Sequence, residues 1–542
     1  MGKLMNSIAT TLFAVTLVAL AFTLEACGDN NSKTGTASTS TVHGTLIDSP
    51  PFRIASLTAA DFAAELGTSQ SGMQLLEIAG TPMCGVDFYY IQYYTVGGAG
   101  ETTNASGALM VPTGGAGCSG ARPVVLYAHG TTTAKNYNIA NIADSTNPAY
   151  DESALIAAMY AAQGFIVVAP NYAGYDVSSL PYHPYLNGAQ QSGDMMDALS
   201  AARTALPTTY ASSTSDNGQL LVTGYSQGGY VALATVHALQ VAGQTVTAAA
   251  PGSGPYALEA FGDAIFYGNV DIGSVVFAPL LTTSYQKAYG NIYESTSDVY
   301  TATYATGIDT LLPSDQSLDS IFASGLLPET ALFDSVNFAT AASSTAYLEG
   351  LGVPAPEAAE LGPAMAIPAN PLFASGFGSP FLINDAYRVS YVLDAAANPD
   401  GALAGSPTAG LAAAPPTQTF RNALYVNDLR NGSWAPMEPL LMCGGVQDPT
   451  VFFNNAQIMQ QFWGNFPLPA GLITVFSVDP SPATTSTDPL QAGFLQAEAA
   501  INTAAGGGLA GEEAVIQSYH GTLVPPFCAA AARGFFLQIL GS

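Results

Sequence analysis

The chain has 542 residues with 11 Lys and Arg against 39 Asp and Glu, a formal charge of −28 at pH 7, although only 9% of its residues are charged. So few cations in so negative a field cannot neutralise a phosphate backbone, which excludes nucleic acid as a partner and disfavours anionic membrane surfaces. Disorder over the whole length is excluded too, because 48% of the residues are apolar and 27 Tyr and 25 Phe can fill a large core.

Residues 1–27 read as an export signal. Lys3 gives a weakly positive start, an apolar stretch runs from Ile8 to Leu24, and Leu24-Glu25-Ala26-Cys27 closes it. Leu, a variable position and a small residue before Cys have the form of a lipobox, whose Cys is acylated after cleavage. Glu25 is atypical there, so lipidation of Cys27, with membrane anchorage through it, stands beside ordinary cleavage and a retained anchor. Export to the cell envelope or beyond is the firmer expectation. Residues 28–50, rich in Ser, Thr, Asn and Gly, predict a flexible tether.

Beyond the tether, β-rich runs over 86–96 and 102–111 predict an antiparallel pair that opens a sheet. Buried strands are expected over 123–127, 165–169, 219–222 and 246–250, with crossover helices over 152–163 and 193–206. The rhythm stops after Pro251 and resumes near Pro439, with strands over 440–443 and 473–478 and a last helix over 529–540. These elements predict an α/β fold with a mostly parallel, doubly wound sheet. Its core occupies 51–253 and 436–542, and 254–435 is a mainly helical cap inserted over the sheet edge where ligands bind. The cap aromatics Phe373, Phe377, Phe381 and Tyr387 read as cap core ahead of substrate contacts.

With Cys27 set aside, Cys84, Cys118, Cys443 and Cys528 are an even set in an exported chain, which reads as two disulfides. Of the three pairings, Cys84 with Cys118 and Cys443 with Cys528 is favoured. The first pair lies in one strand region, and the second flanks the candidate catalytic residues; four free thiols are the alternative. No Cys or His spacing suggests a metal site.

Gly224-Tyr225-Ser226-Gln227-Gly228, extended by Gly229, matches G-x-S-x-G. The motif is weak alone, but a buried strand enters it and a helical pattern over 230–241 leaves it, the geometry that lifts a Ser hydroxyl above a sheet. A hydroxyl needs a base, and the base needs an orienting acid. His520, read as a loop residue before the last helix, is the only His after the insertion. Asp448 follows directly on a buried strand, in a Gly-rich turn. The order Ser226, Asp448, His520 is the order this architecture requires. Of the other His, His129 reads as ordering the turn after its strand, His183 as a loop residue, His237 as a helix residue and His43 as part of the tether. Asp479 and Asp488 are alternative acids without the Gly-rich context. The oxyanion hole is expected from the backbone N–H groups of Gln227 and Thr131. Gly252-Ser253-Gly254-Pro255-Tyr256-Ala257 formally fits a dinucleotide fingerprint, but it comes late in the sheet and Pro255 crowds the helix start, so it reads as a hinge of the cap.

These residues resemble the α/β-hydrolases of the secretory lipase family. The resemblance rests on His129-Gly130-Thr131, on Gly164 to Tyr172 with Gly174, on Asp197-Ala198 with Ala201-Ala202-Arg203, and on the three triad segments. It implies hydrolysis of small-molecule or lipid carboxylic esters without a cofactor, by Ser226, His520 and Asp448. Asn171 stands where many members have Asp, a difference that touches the turn and not the triad. A serine peptidase on the same fold and a catalytically silent surface-binding protein remain the alternatives.

Overall fold

A computed structural model describes residues 42–211, 213–481 and 485–541. The export signal and Cys27 lie outside the described residues, as does the first part of the expected tether. Its last part differs from the expectation: Gly44 and Ile47 donate to the carbonyls of Tyr94 and Gln92, and Leu46 bridges Tyr93. Backbone pairing with a sheet edge thus begins before residue 50.

Nine strands form one sheet. In chain order they are β1 (Phe52–Leu57), β2 (Gly85–Val96), β3 (Thr102–Thr113), β4 (Gly120–Ala128), β5 (Ile166–Pro170), β6 (Thr214–Tyr225) and β7 (Ala248–Gly252). A short pair, β8 (Phe333–Asp334) and β9 (Phe377–Gly378), stands apart, and β10 (Leu440–Gly444) and β11 (Ile473–Ser477) complete the main sheet. The spatial order is β1-β2-β3-β5-β4-β6-β7-β10-β11. The first four neighbours pair antiparallel and the remaining pairs are parallel. Ile166-Val167-Val168-Ala169-Pro170 and Leu440-Leu441-Met442-Cys443-Gly444 are buried throughout, as parallel strands covered on both faces must be.

The boundaries depart from expectation in two places. β1 has only weak alternation in the sequence, and its pairing with β2 is what makes it a strand. β6 begins at Thr214 rather than 219, with a register shift opposite Arg122 and Val124 of β4.

The chain between β7 and β10 carries helices, among them Leu258–Tyr267, Ser274–Tyr289, Ala355–Met365, Asp385–Ala397 and Thr419–Asn427, together with the β8–β9 pair. Disulfides join Cys84 to Cys118 and Cys443 to Cys528. The second ties β10 to the final helix. That helix belongs to an apolar run, Gly508–Leu540, long enough to cross a membrane by length and composition, but its Val524, Phe527, Cys528 and Phe536 are buried in the protein core.

Candidate active site

β6 ends at Tyr225 and a helix begins at Gln227, so Ser226 alone makes the turn. Its φ of +59° with ψ of −124° is a conformation L residues rarely adopt, and the surroundings hold it there. The Ser226 N–H donates to Gly252 O of β7 at 3.0 Å, and the Gly229 N–H donates to Ser226 O at 2.9 Å. The flanking glycines follow from close approach. A Cβ on Gly228 would stand 1.9 Å from Ala128 O at the end of β4, and one on Gly229 2.1 Å from Gly252 O. Any side chain there would push the helix off the sheet and lower the serine.

His520 Nε2 lies 2.8 Å from Ser226 Oγ, and its Nδ1 lies 2.7 Å from Asp448 Oδ2. The other carboxylate oxygen of Asp448 accepts the N–H groups of Thr450 and Val451, each at 3.0 Å, so the side chain is fixed by its own turn. Asp448 is buried, while Ser226 and His520 are half-buried.

The expected loop around His520 is instead helical. Tyr519–Leu523 is a single π-helical turn between the helices Gly508–Ser518 and Val524–Leu540, in which the Val524 N–H reaches back five residues to Tyr519 O. Pro525 and Pro526 have no N–H to return to Gly521 and Thr522, which weakens the α pattern at this point. Such a turn inserts one residue and re-aims the side chains beside it. Tyr519 then anchors the turn: its hydroxyl donates to Asp479 Oδ2 at 2.6 Å and accepts the Gln447 N–H at 3.2 Å. Asp479 therefore holds the residue before the base, and Asp488 caps the helix Pro489–Ala504. The carboxylate that hydrogen-bonds to His520 is that of Asp448.

The N–H groups of Gln227 and Thr131 have no acceptor among the described residues. Gly130, next to Thr131, runs close beneath the nucleophile; a Cβ there would stand 3.8 Å from Ser226 Cβ. Glu152 fixes this loop by accepting the Gly130 N–H at 3.1 Å and the hydroxyls of Tyr127 and Tyr137 at 2.8 and 2.7 Å. His129 is buried, stacked between Tyr137 and Tyr172, and burial holds its pKa below the ordinary value.

One residue read merely as part of a loop proves to touch the site. His183 Nδ1 faces Ala173 O at 2.9 Å, so it carries the proton, and Nε2 accepts from the Gln227 side-chain amide at 2.7 Å. Burial pushes its pKa down to about 3, so the ring stays a neutral acceptor. Nothing local in the sequence announces this, because 44 residues separate the partners. His237, by contrast, stacks on Trp434 away from the triad.

A cavity leads from Ser226 and Gln227 into the segment between β7 and β10. Phe261, Ile265, Phe277 and Leu281 are among its walls, and Tyr387 lines it as well, a cap aromatic expected to be core. Among the described residues no group of His, Cys, Asp and Glu has the arrangement of a metal site.

The rice cell wall degrading esterase LipA from Xanthomonas oryzae superposes with a TM-score of 0.62 at 22% identity, over 91% of this chain and 98% of that one. The chain has the α/β-hydrolase fold. A Legionella pneumophila protein shares this α/β-hydrolase architecture with a TM-score of 0.58 at 16% identity, over 91% and 98% of the two chains. Candida antarctica lipase A aligns over 80% of this chain and 76% of its own at 11% identity, and its TM-score of 0.43 is too low to carry weight. A family model described as the prolyl oligopeptidase family matches residues 152–263, a stretch that holds the Ser226 turn but neither Asp448 nor His520. No curated protein matches the sequence.

Proposed function

We propose that this α/β-hydrolase is an exported serine carboxylic-ester hydrolase, a lipase or esterase. Ser226 Oγ attacks the ester carbonyl while His520 Nε2 takes its proton. Asp448 keeps the imidazole in the tautomer with Nδ1 protonated and stabilises the imidazolium that forms. The N–H groups of Gln227 and Thr131 receive the oxyanion, the alcohol leaves with the proton from His520, and water repeats the sequence on the acyl-enzyme. No cofactor is required. The signal in residues 1–27, with Cys27 as its acylation point, exports the protein, and residues 254–435 form a cap over the site. The observation that carries this reading is the continuous hydrogen-bond line from Ser226 Oγ through His520 to Asp448, at 2.8 and 2.7 Å.

The substrate is an ester whose acyl part is apolar enough for the walls of the cavity. A serine peptidase is the second reading, favoured by the match of residues 152–263 to the prolyl oligopeptidase family. The test is hydrolysis of p-nitrophenyl octanoate and of a prolyl p-nitroanilide peptide by the full chain and its Ser226→Ala variant. Ester cleavage falling by about 10⁶-fold in the variant is expected. Peptide cleavage without ester cleavage would establish the second reading, and equal activity in the two proteins would remove Ser226 from the mechanism.

A further inference from the structure

Away from the nucleophile the cavity wall carries few polar groups: the hydroxyls of Tyr185 and Thr282 are hydrogen-bonded to Thr131 and Tyr300, Tyr387 adds a buried hydroxyl, and the one carboxyl among its described lining residues is that of Asp271. Asp271 lies between the helices Leu258–Tyr267 and Ser274–Tyr289, is 4% exposed, and lines the cavity together with Ser274, itself 5% exposed. The Ser274 hydroxyl donates to Asp271 Oδ1. The second oxygen, Oδ2, is buried and has no hydrogen-bond partner among the described residues. The next residue, Ile272, donates its N–H to Pro449 O at 3.0 Å, which fixes Asp271 beside the loop that carries Asp448.

A buried polar oxygen without a partner is costly, and folded chains avoid it unless something else satisfies it. Here the residue that carries it lines the space that begins at Ser226. Burial, with the Asp448 charge adding to it, pushes the Asp271 carboxyl well above the ordinary carboxylate range, which favours its protonated, hydrogen-bond-donating form. An unsubstituted hydrocarbon chain offers nothing to such a group. A hydroxyl does, since it accepts from a protonated carboxyl and donates to an ionised one. The acyl part is the portion to consider, because it stays bound to Ser226 while the alcohol departs.

We propose that Asp271, held by Ser274, is a polar subsite for a hydroxyl group on the acyl chain, which makes esters of hydroxylated fatty acids the preferred substrates. The proposal rests on Ser226 being the acyl acceptor. Asp271 is a specificity-determining residue and takes no part in bond making or breaking.

The experiment compares kcat/KM of the full chain for p-nitrophenyl octanoate with that for its counterparts hydroxylated at each carbon from the third to the eighth. At the position that reaches Asp271, the hydroxyl is expected to raise kcat/KM by about tenfold or more. That ratio falls to near one in Asp271→Leu and is largely kept in Asp271→Asn, whose amide both donates and accepts. If Asp271→Leu does not fold, Asp271→Ala takes its place. A flat profile across all positions in the unmodified protein overturns the proposal without any variant, and so does a preference that survives in Asp271→Leu or Asp271→Ala. A flat profile with hydrolysis that still depends on Ser226 sinks this inference alone. Hydrolysis that persists in Ser226→Ala sinks the reading beneath it.

Discussion

The sheet and the insertion are held together by different physics. In the sheet, strands such as β5, β7 and β10 are buried aliphatic runs whose register is set by ladder hydrogen bonds. The insertion has only the two-residue pair β8–β9 and uses charge instead. The chain has 11 Lys and Arg, and three of them, Arg388, Arg421 and Arg430, are fully buried there. Arg421 on the helix Thr419–Asn427 meets Asp263 at 2.7 Å, Glu259 at 3.0 Å and Asp394 at 3.2 Å, joining three helices. Arg430 meets Asp400 and Asp428, each at 2.7 Å. Arg388 stacks on Phe333 and Phe338 and donates to Phe266 O and Met365 O. Helices joined by loops can slide against one another, and a buried cation with fixed partners permits one arrangement. The lesson is that a chain poor in charge can still rely on charge where it has no sheet to align it.

The contrast can be broken directly. Arg421→Met leaves Asp263 and Asp394 buried without their cation and is expected to cost about 3–5 kcal/mol, read from urea unfolding. An unchanged midpoint would mean the insertion is held by apolar contact, as the sheet is. On the sheet side, replacing Cys443 and Cys528 together by Ala is expected to cost about 2–4 kcal/mol. It also lowers kcat, because the bond ties β10, just before Asp448, to the helix that follows His520. Removing Cys84 and Cys118 costs a similar amount and spares kcat; equal loss of kcat in the two variants would contradict this division. Gln227→Leu deprives His183 of its close donor and frees the residue whose N–H is proposed to receive the oxyanion. A loss of about 1–3 kcal/mol is expected, seen as lower kcat at nearly constant KM.

The gentlest test is pH. Asp194 accepts from the Tyr93 hydroxyl and the Ala173 N–H, both at 2.6 Å, yet burial raises its carboxyl to about 7. Its folded value lies above the unfolded one, so the stability it contributes is full below about pH 4 and is lost as the pH rises through 7. The melting temperature of the parent should therefore fall by about 2 °C between pH 4 and pH 8 relative to Asp194→Asn. A rise would reverse the assignment.

Much of the fold was legible in the sequence. Strands β4 to β7, β10 and β11 are short apolar runs bounded by breakers, and their spacing around helical stretches implies a parallel sheet. Ser226, Asp448 and His520 were each readable from a few neighbours, and the structure brings the three together. What escaped depends on distant partners. β1 and residues 42–47 become sheet edge only because β2 lies beside them. Gly521, Pro525 and Pro526 carry loop-forming chemistry, and a single π turn absorbs them without ending the helix. Arginine is ordinarily a surface residue, so nothing local marks Arg388, Arg421 and Arg430 as interior. The tie between His183 and Gln227 is invisible for the same reason.

The placement of the base on the last helical unit has a consequence in time. Synthesis delivers Ser226 first, then the segment between β7 and β10, then β10 with Asp448, and only after these His520 and the second half of the disulfide. A nascent chain folding from its N-terminus can form the Ser226 turn early, but it holds an unarmed hydroxyl until the final helix docks. Under the proposed function, chain order then acts as a delay that keeps the hydroxyl silent while the chain is still being made.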